Sequence, residues 1–335
     1  IQPRWIAHDL HPDYVSTGWA RELSRRTGLP LVAVQHHHAH AASLLAEHGR
    51  SARTLVVACD GVGYGSDGGA WGGELLLADL ASATRLARLR PLRLPGGDAA
   101  AKDTRRCTLA LLFNTLGDGF ADHSVVSRLY PEKAQRDLLC QMIRRNVQCA
   151  SSSAAGRYFD GVAALLGVCS DNAFEGRAPM LLEAAAASVP AQEAAALAED
   201  GFGVFKGRLD DIDLSPLVRT TLDEQARGAS ASLLAAAFHT TMARAWSHIA
   251  TQYAHRTGID TVGLTGGVFC NERLLDELSR LLMRKGLGVL RHHRVPPGDG
   301  GISYGQAAVA AAQFARDPER RRWSLSQGTE VQSCV

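Results

Sequence analysis

Short apolar runs alternate with segments of helical periodicity in the last third of the chain. Strands are predicted from Thr261 to Leu264 and from Leu287 to Leu290, because both runs are apolar and bounded by turn residues. Helices are predicted over Asn271 to Lys285, which Gly286 ends, and over Ile302 to Phe314. This alternation indicates an α/β sheet with crossover connections.

Two strands, a helix and a hairpin are predicted in the first quarter of the chain. Leu31 to Val34 is a short apolar strand, and His36 to His48 is a helix. Leu55 to Cys59 is a strand of the buried kind, and a glycine-rich turn from Asp60 to Gly69 follows it. Since Glu74 opens another apolar run, the order of strand, turn and strand predicts a β-hairpin.

One long helix is predicted in the second half. Apolar residues recur there every three or four positions, which gives a helix with one buried stripe. The stripe consists of Leu234, Phe238, Met242, Ala245, Ile249 and Tyr253.

Periodicity and composition divide the chain into segments. Residues 1–30 carry little periodicity and are predicted to be a docking segment, and the polar tail 323–335 is predicted to fray. Residues 151–156 break the pattern and mark a boundary between two lobes. We therefore assign residues 31–155, with the return of 300–322 and an Arg-rich helical insert at 91–150, to lobe I, and residues 156–299 to lobe II.

Composition and charge exclude several classes of protein. The 36 basic and 34 acidic residues give a net charge of +2, which argues against a nucleic-acid partner. No apolar run reaches about 18 residues, so no membrane span is predicted. The seven cysteines are scattered without a C-x-x-C pair, which argues against disulfides and a cysteine zinc site and favours the cytoplasm. The start at Ile1, with neither Met nor a signal-peptide pattern, indicates a piece of a longer or processed chain.

Four histidines in five positions are the most informative stretch. Residues i and i+4 share one face of a helix, so His36 and His40 can hold one metal ion, while His37 and His38 point elsewhere. A polar helix start with chance histidines is the alternative. Position 37 is His and not Glu, so the H-E-x-x-H pattern of zinc proteases is absent and that class is disfavoured.

Two aspartates are candidates to complete such a metal site. Asp60 follows a strand and precedes a glycine-rich turn, and Asp299 lies between two glycines just before a helix. Ordinary turn chemistry and helix capping are the alternatives. Two histidines and an aspartate would form an open three-ligand site for a divalent metal such as zinc or iron.

Two glycine turns that follow strands point to a nucleotide. Gly61 and Gly63 lie in one turn, and Gly266 and Gly267 lie in the other, where backbone N–H groups can approach phosphate. Two such units far apart in sequence indicate a bilobal actin-like or sugar-kinase-like fold with a nucleotide cleft between the lobes. The phosphate-loop motif G-x-x-x-x-G-K-[ST] is absent.

Three weaker candidates lie outside these turns. Asp160, near the start of a predicted helix, either holds ribose hydroxyls or complements the helix dipole. Gly176 is a weaker nucleotide candidate. Cys270 is expected to be a small buried packing residue and not a catalytic thiol.

These motifs resemble those of the hydrogenase maturation carbamoyltransferase family, HypF, in the family's order from residue 6 to about residue 315. The motifs are Ile6-Ala7-His8-Asp9-Leu10-His11-Pro12-Asp13-Tyr14, His36-His37-His38-Ala39-His40, Asp60-Gly61-Val62-Gly63-Tyr64-Gly65, Trp71-Gly72-Gly73-Glu74, Leu94-Pro95-Gly96-Gly97-Asp98, Gly156-Arg157-Tyr158-Phe159-Asp160, Gly266-Gly267-Val268-Phe269 and Val295-Pro296-Pro297-Gly298-Asp299-Gly300-Gly301.

The resemblance covers the C-terminal part of the family's proteins, a domain shared with the tRNA threonylcarbamoyl transferases. It implies transfer of the carbamoyl group of carbamoyl-adenylate, made from carbamoyl phosphate and ATP, to the C-terminal cysteine of HypE. The product leads to the cyanide ligand of [NiFe] hydrogenase. No segment resembles the family's acylphosphatase-like, zinc-finger or YrdC-like domains, so we expect the earlier steps to be absent.

The resemblance also assigns residues. It implies that His36, His40 and Asp299 are metal ligands, with Asp60 as a further ligand or close neighbour. The family usually has Gln where this chain has Cys270, which alters one edge of the nucleotide site. The implied nucleotide contacts are Gly266, Gly267, Asn271, Asp160 and, more weakly, Gly176.

The carbamoyl transfer that the resemblance implies needs no nucleophile from this chain, since the acceptor HypE supplies its cysteine thiol. A metal acts as Lewis acid, and the amides of the glycine turns stabilise the departing phosphate. His37 or His38 is placed by proximity to help deprotonate the thiol, beside Asp60.

Four alternatives remain at this point. A tRNA threonylcarbamoyl transferase has the same fold, but typically reads His-His-Met-Glu-Gly-His where this chain has residues 35–40. An antibiotic O-carbamoyltransferase shares the motif set. An inactive nucleotide-binding scaffold keeps the fold alone, and an actin-like kinase lacks the histidine cluster.

Overall fold

The computed structural model describes residues 3–200 and 208–316, which form a mixed eight-stranded sheet with helices on both faces and a separate two-stranded sheet. The strands are β1 (Ile6–Asp9), β2 (Leu31–Val34), β3 (Thr54–Tyr64), β4 (Ala70–Ala78), β5 (Ala83–Leu89), β6 (Leu92–Pro95), β7 (Cys149–Ser152), β8 (Asp211–Ile212), β9 (Thr261–Thr265) and β10 (Gly288–Leu290). The helices are α1 (Val15–Thr27), α2 (His36–Glu47), α3 (Ala99–Lys102), α4 (Arg105–Leu116), α5 (Ser124–Leu129), α6 (Lys133–Arg145), α7 (Ala155–Leu165), α8 (Arg177–Ala186), α9 (Ala191–Asp200), α10 (Ser215–Ala226), α11 (Ala231–Thr257), α12 (Glu272–Arg284) and α13 (Ile302–Arg316).

The large sheet has the order β10-β9-β3-β4-β5-β8, and β6 and β7 pair with each other beside β4. The pairs β10–β9 and β3–β9 are parallel, whereas β3–β4 and β4–β5 are antiparallel. Parallel neighbours need crossover connections, and α12 supplies the one between β9 and β10. The predicted alternation and the predicted hairpin are therefore both present.

Helices α2 and α13 pack together on one side of the sheet, and their backbones approach closely. A Cβ atom at Gly305 would lie 1.9 Å from the carbonyl oxygen of Ala39, so only glycine fits there. On the other side, α11 buries Leu234, Phe238 and Met242 in the main core, as the predicted stripe requires. This arrangement fixes α2 against the sheet.

The strand β3 is longer than predicted, and the expected turn at Asp60 is wrong. Asp60 lies inside β3, which continues to Tyr64. The pairing of β3 with β4 shifts register between Cys59 and Gly63, which is the mark of a β-bulge. Cross-strand pairing therefore keeps Gly63 opposite Trp71, and Asp60 and Gly61 lie within the bulge.

Residues 1–30, expected to be a docking segment, contain β1 and α1, and β1 pairs in parallel with β2. The insert at 91–150 is mainly helical, and its Leu109 and Phe120 share the main core with Phe159 of α7. The tail 323–335 lies outside the described residues. The division into lobes stays a prediction.

No helix within residues 3–200 and 208–316 has the length and apolar character required to cross a membrane. In the same part of the chain, six cysteines are free thiols, as their scattered positions predict.

Candidate active site

The helix α2 places two histidines at its first and second turns. Its start is fixed by Gln35, whose side-chain oxygen accepts a hydrogen bond from the His38 amide at 2.9 Å. His36 and His40 are four residues apart and lie on one face, as predicted. Both are buried, with exposures of 3% and 0%.

Three separate parts of the fold bring four potential ligand atoms together. Atoms of His36, His40, Asp60 and Asp299 all lie within 4.8 Å of one another. The Nε2 atoms of His36 and His40 lie 3.2 and 3.4 Å from Asp60 Oδ2. Asp299 Oδ1 lies 3.6 and 3.5 Å from the same two nitrogen atoms. We call these four residues the metal group.

The chemistry of the metal group fits a divalent cation. The buried Nε2 atom of His40 has no hydrogen-bond partner, although it faces two carboxylates. Burial lowers the pKa of His36, but hydrogen bonds to Asp299, Asp60 and Asp9 outweigh it and raise the pKa to about 12. Carboxylates gathered this closely around two imidazole nitrogens also attract a metal cation. Two imidazoles and two carboxylates suit zinc or iron.

Asp9 is a site residue that sequence reasoning missed. Its Oδ2 atom accepts a hydrogen bond from His36 Nδ1 at 2.8 Å, and its side chain is buried. If a cation displaces the Nε2 proton, this bond keeps the remaining ring proton on Nδ1 and leaves the Nε2 lone pair for the cation. The motif around Asp9 contributes to the family resemblance, but nothing local assigns it a role, because the partners are 27 residues apart.

The glycine turn after β9 meets the metal group through Asp60. Asp60 Oδ1 accepts a hydrogen bond from the Gly267 amide at 3.0 Å. Gly266 has φ of 101°, and a Cβ atom there would lie 2.1 Å from the Cys59 carbonyl oxygen, so the position requires glycine. The Gly266 amide donates to Pro297, two residues before Asp299. The predicted metal ligands and the predicted nucleotide-binding turn therefore lie next to each other.

Gly63 and Gly61 play different parts beside this group. A Cβ atom at Gly63 would lie 2.4 Å from His36 Cδ2 and 2.7 Å from His37 Cε1, so glycine lets both rings pack on β3. A Cβ atom at Gly61 would lie 3.8 Å from an Nη atom of Arg157. Their contact with a nucleotide stays a prediction.

His37 and His38 take different positions. The His37 ring lies edge-on to that of His36, and its Nε2 atom has no hydrogen-bond partner and lies 3.9 Å from Glu74. Burial and the neighbouring His36 lower the pKa of His37. His38 Nε2 instead lies 2.9 Å from the carbonyl oxygen of Asp79. Of the two predicted proton acceptors, His37 is the one beside the metal group.

The other nucleotide candidates are engaged in structural contacts. Asp160 is fully buried, 2.8 Å from Arg157 Nη1 and 2.9 Å from Asn172 Nδ2. Asn271 caps α12 by accepting from the Leu274 amide. Gly176, with φ of 78°, precedes α8. Their roles in nucleotide binding stay predictions.

The prediction of a buried Cys270 is wrong, because its side chain is exposed. It lies at the end of a short 3-10 turn from Gly267 to Cys270, and not inside a helix. Burial of part of the thiol and the charge of Asp60 raise the pKa of Cys270, which opposes an activated thiolate there.

Comparison with known proteins gives the family. Residues 1–47 match the family model "HypF Kae1-like domain", and residues 56–306 match "Carbamoyltransferase, Kae1-like Domain, second subdomain". The chain belongs to the HypF carbamoyltransferase family. It is 40% identical to carbamoyltransferase HypF2 of Cupriavidus necator, an alignment that covers 92% of this chain and 40% of that protein. A HypF homologue from the same organism is 39% identical, over 93% of this chain and 79% of that protein.

A solved HypF structure supports the same assignment. The crystal structure of full-length HypF in a phosphate- and nucleotide-bound form matches with a TM-score of 0.84 and 35% identity. The match covers 94% of this chain and 47% of that one. The predicted α/β fold of the HypF C-terminal domain is confirmed, and the chain spans 40% of the length of HypF2.

Proposed function

We propose that this HypF chain transfers the carbamoyl group of carbamoyl-adenylate to the C-terminal cysteine thiol of HypE. The observation that carries the proposal is the junction at Asp60. One carboxylate oxygen faces the histidines of the metal group, and the other accepts from the Gly267 amide. A phosphate near the glycine turn would therefore lie next to a cation. The phosphate and nucleotide in the related crystal structure support this use of the fold.

His36, His40, Asp60 and Asp299 would hold a divalent metal, zinc or iron, which supplies Lewis-acid polarisation of carbamoyl or phosphate oxygens when bound. The part of this turn after Gly267 is the part we assign to the leaving phosphate, because the amides of Gly266 and Gly267 already donate to the Pro297 carbonyl oxygen and to Asp60. Asp9 holds the His36 ring in one tautomer.

The acceptor thiol provides the nucleophile. Its sulfur forms a bond to the carbamoyl carbon, and the bond from that carbon to the phosphate oxygen breaks with its electron pair leaving on AMP. We assign the thiol proton to His37 because its Nε2 lies beside the metal group without a hydrogen-bond partner; since the ring is buried and its pKa is lowered, this role requires the ring to become accessible when the acceptor binds. With ATP and carbamoyl phosphate as the sources of the donor, we infer that the enzyme works in the cytoplasm.

The test is intact-mass spectrometry of purified HypE. HypE is incubated with this chain, carbamoyl phosphate and ATP, with and without the YrdC-like domain of a full-length relative to supply carbamoyl-adenylate. We expect a carbamoyl adduct on the C-terminal cysteine when that domain is present. A HypE variant without this cysteine is the control and is expected to stay unmodified.

Two results would contradict the proposal. One is that HypE gains no adduct from this chain plus the donor-forming domain, although the full-length relative, in which that domain is joined to its own transfer domain, modifies HypE. The other is transfer to an aminoglycoside hydroxyl and not to HypE, which would assign the chain to O-carbamoyl transfer.

A further inference from the structure

The far end of α2 is joined to the segment that carries Asp299. Glu47 is the last residue of α2, and its Oε1 atom accepts from the amides of His293 and Arg294 at 2.8 and 2.5 Å. Its Oε2 atom lies 2.8 Å from His292 Nδ1. The side chains of Glu47 and His292 are only 6% and 4% exposed, whereas His293 and Arg294, whose amides Glu47 accepts from, lie at the surface.

The contact continues from His292 to the backbone of a metal-group residue. His292 Nε2 lies 2.9 Å from Thr265 Oγ1, and that hydroxyl lies 3.3 Å from the carbonyl oxygen of His40. Thr265 ends β9 and directly precedes Gly266. Glu47, His292 and Thr265 therefore form a buried polar bridge between α2, β9 and the segment 291–299.

Asp299 lies at the surface, so its position depends on the segment that precedes it. Its side chain is 72% exposed, and it begins a short turn outside the sheet and the long helices. The segment before it is attached at 292–294 by Glu47 and at Pro297 by the Gly266 amide, and its first residue, Arg291, also contacts His48 and Asp276. Helix α2 thus contacts this segment at both ends, with His36 and His40 at one and Glu47 at the other.

We propose that Glu47 and His292 are positioning residues that fix Asp299 at metal-binding distance from His36 and His40. The proposal rests on the proposed metal site. Neither residue belongs to the metal group, and both act through the segment 291–299. Outer-layer contacts of this kind typically change metal affinity by about 10- to 100-fold when removed.

The experiment measures zinc affinity of the full chain by competition with a chromophoric chelator, together with the midpoint temperature of unfolding without metal. For Glu47→Ala we expect affinity about 10- to 100-fold weaker than wild type. For Glu47→Gln, which keeps an oxygen for the two amides, we expect a smaller loss in the same direction. The matched control is Asp276→Ala, which removes the exposed ion pair to Arg291 at the start of the same segment.

Affinity separates positioning from general stabilisation. A residue that only stabilises the fold lowers the unfolding midpoint and leaves zinc affinity unchanged well below that temperature. Equal zinc affinities for wild type and Glu47→Ala would therefore overturn the proposal. If Glu47→Ala does not fold, a zinc affinity of Glu47→Gln equal to that of wild type would overturn it. A wild-type chain that binds no zinc or iron would instead refute the metal site itself.

Discussion

The substitution Asp9→Asn tests the tautomer of His36. The carboxylate accepts from His36 Nδ1 at 2.8 Å, so with a metal on Nε2 the remaining ring proton stays on Nδ1. Asparagine is nearly the same size, but its NH₂ group can donate to Nδ1. The ring proton is then favoured on Nε2, where it competes with a metal, as when a catalytic aspartate is replaced in a Ser-His-Asp triad.

The size of the effect follows from what the substitution leaves intact. The other carboxylate oxygen of Asp9 accepts from the His11 amide, and the Asp9 carbonyl oxygen accepts from the Thr17 hydroxyl. Asparagine keeps both contacts, so the local fold should persist. The loss therefore falls on metal affinity, by about 10- to 100-fold, which is about 1.4 to 2.8 kcal/mol of binding free energy.

Zinc affinity by chelator competition at neutral pH is the assay, with carbamoyl transfer to HypE as the second measurement. The control is Asp79→Asn, a buried aspartate near the same helix. His38 contacts its backbone carbonyl, which the substitution does not change. An Asp9→Asn variant that binds zinc within twofold of wild type would refute the tautomer argument.

Three further substitutions probe other parts of the site. Asp299→Ala is expected to lose bound metal in elemental analysis with an unchanged circular dichroism spectrum, since this side chain is 72% exposed; retained metal would remove Asp299 from the metal group. Gly63→Ala adds a Cβ atom 2.4 Å from His36 Cδ2 and is expected to cost about 1–3 kcal/mol of unfolding free energy and to weaken zinc binding; unaltered urea unfolding would contradict it. Burial raises the pKa of Glu74 to about 8, despite its hydrogen bonds to Ser153, Gly72 and Gly73. The folded protein therefore holds this proton more tightly than the unfolded chain does. The resulting stability is fully present below the ordinary pKa of a glutamate and is lost as the pH rises towards 8. Glu74→Gln should remove about 3 kcal/mol of this decline between pH 5 and 8, and an identical pH profile would refute the shift.

Local periodicity predicts the helices because their determinants are close in sequence. The start of α2 depends on Gln35 and the amide of His38, three residues away. The shared face of His36 and His40 follows from helix geometry alone. The same is true of α11, whose buried stripe is visible in the apolar spacing and lies in the core.

Non-local pairing decides what the sequence pattern misses. Glycine-rich residues after Cys59 favour a turn by local preference, yet pairing with β4 carries β3 to Tyr64. Asp9 reaches His36 across 27 residues, and Glu47 reaches His292 across 245 residues. No spacing rule connects positions this far apart. The contact of Asp9 with His36 and the contact of Glu47 with His292 therefore become visible only in the structure.

The buried polar atoms along α2 support the proposed cation site, because they cost stability that a ligand would restore. His37 Nε2, both ring nitrogens of His40 and Ser43 Oγ are buried without a hydrogen-bond partner. Each buried polar atom without a partner typically costs about 1–3 kcal/mol. Apolar side chains would pack there at lower cost, as Ala39, Ala41 and Ala42 do on the same helix. Such atoms are rare in native structures unless a function requires them. Among these atoms His40 Nε2 faces Asp60 and Asp299, at 3.4 and 3.5 Å, so a cation held between the three residues would give this nitrogen the partner that it lacks.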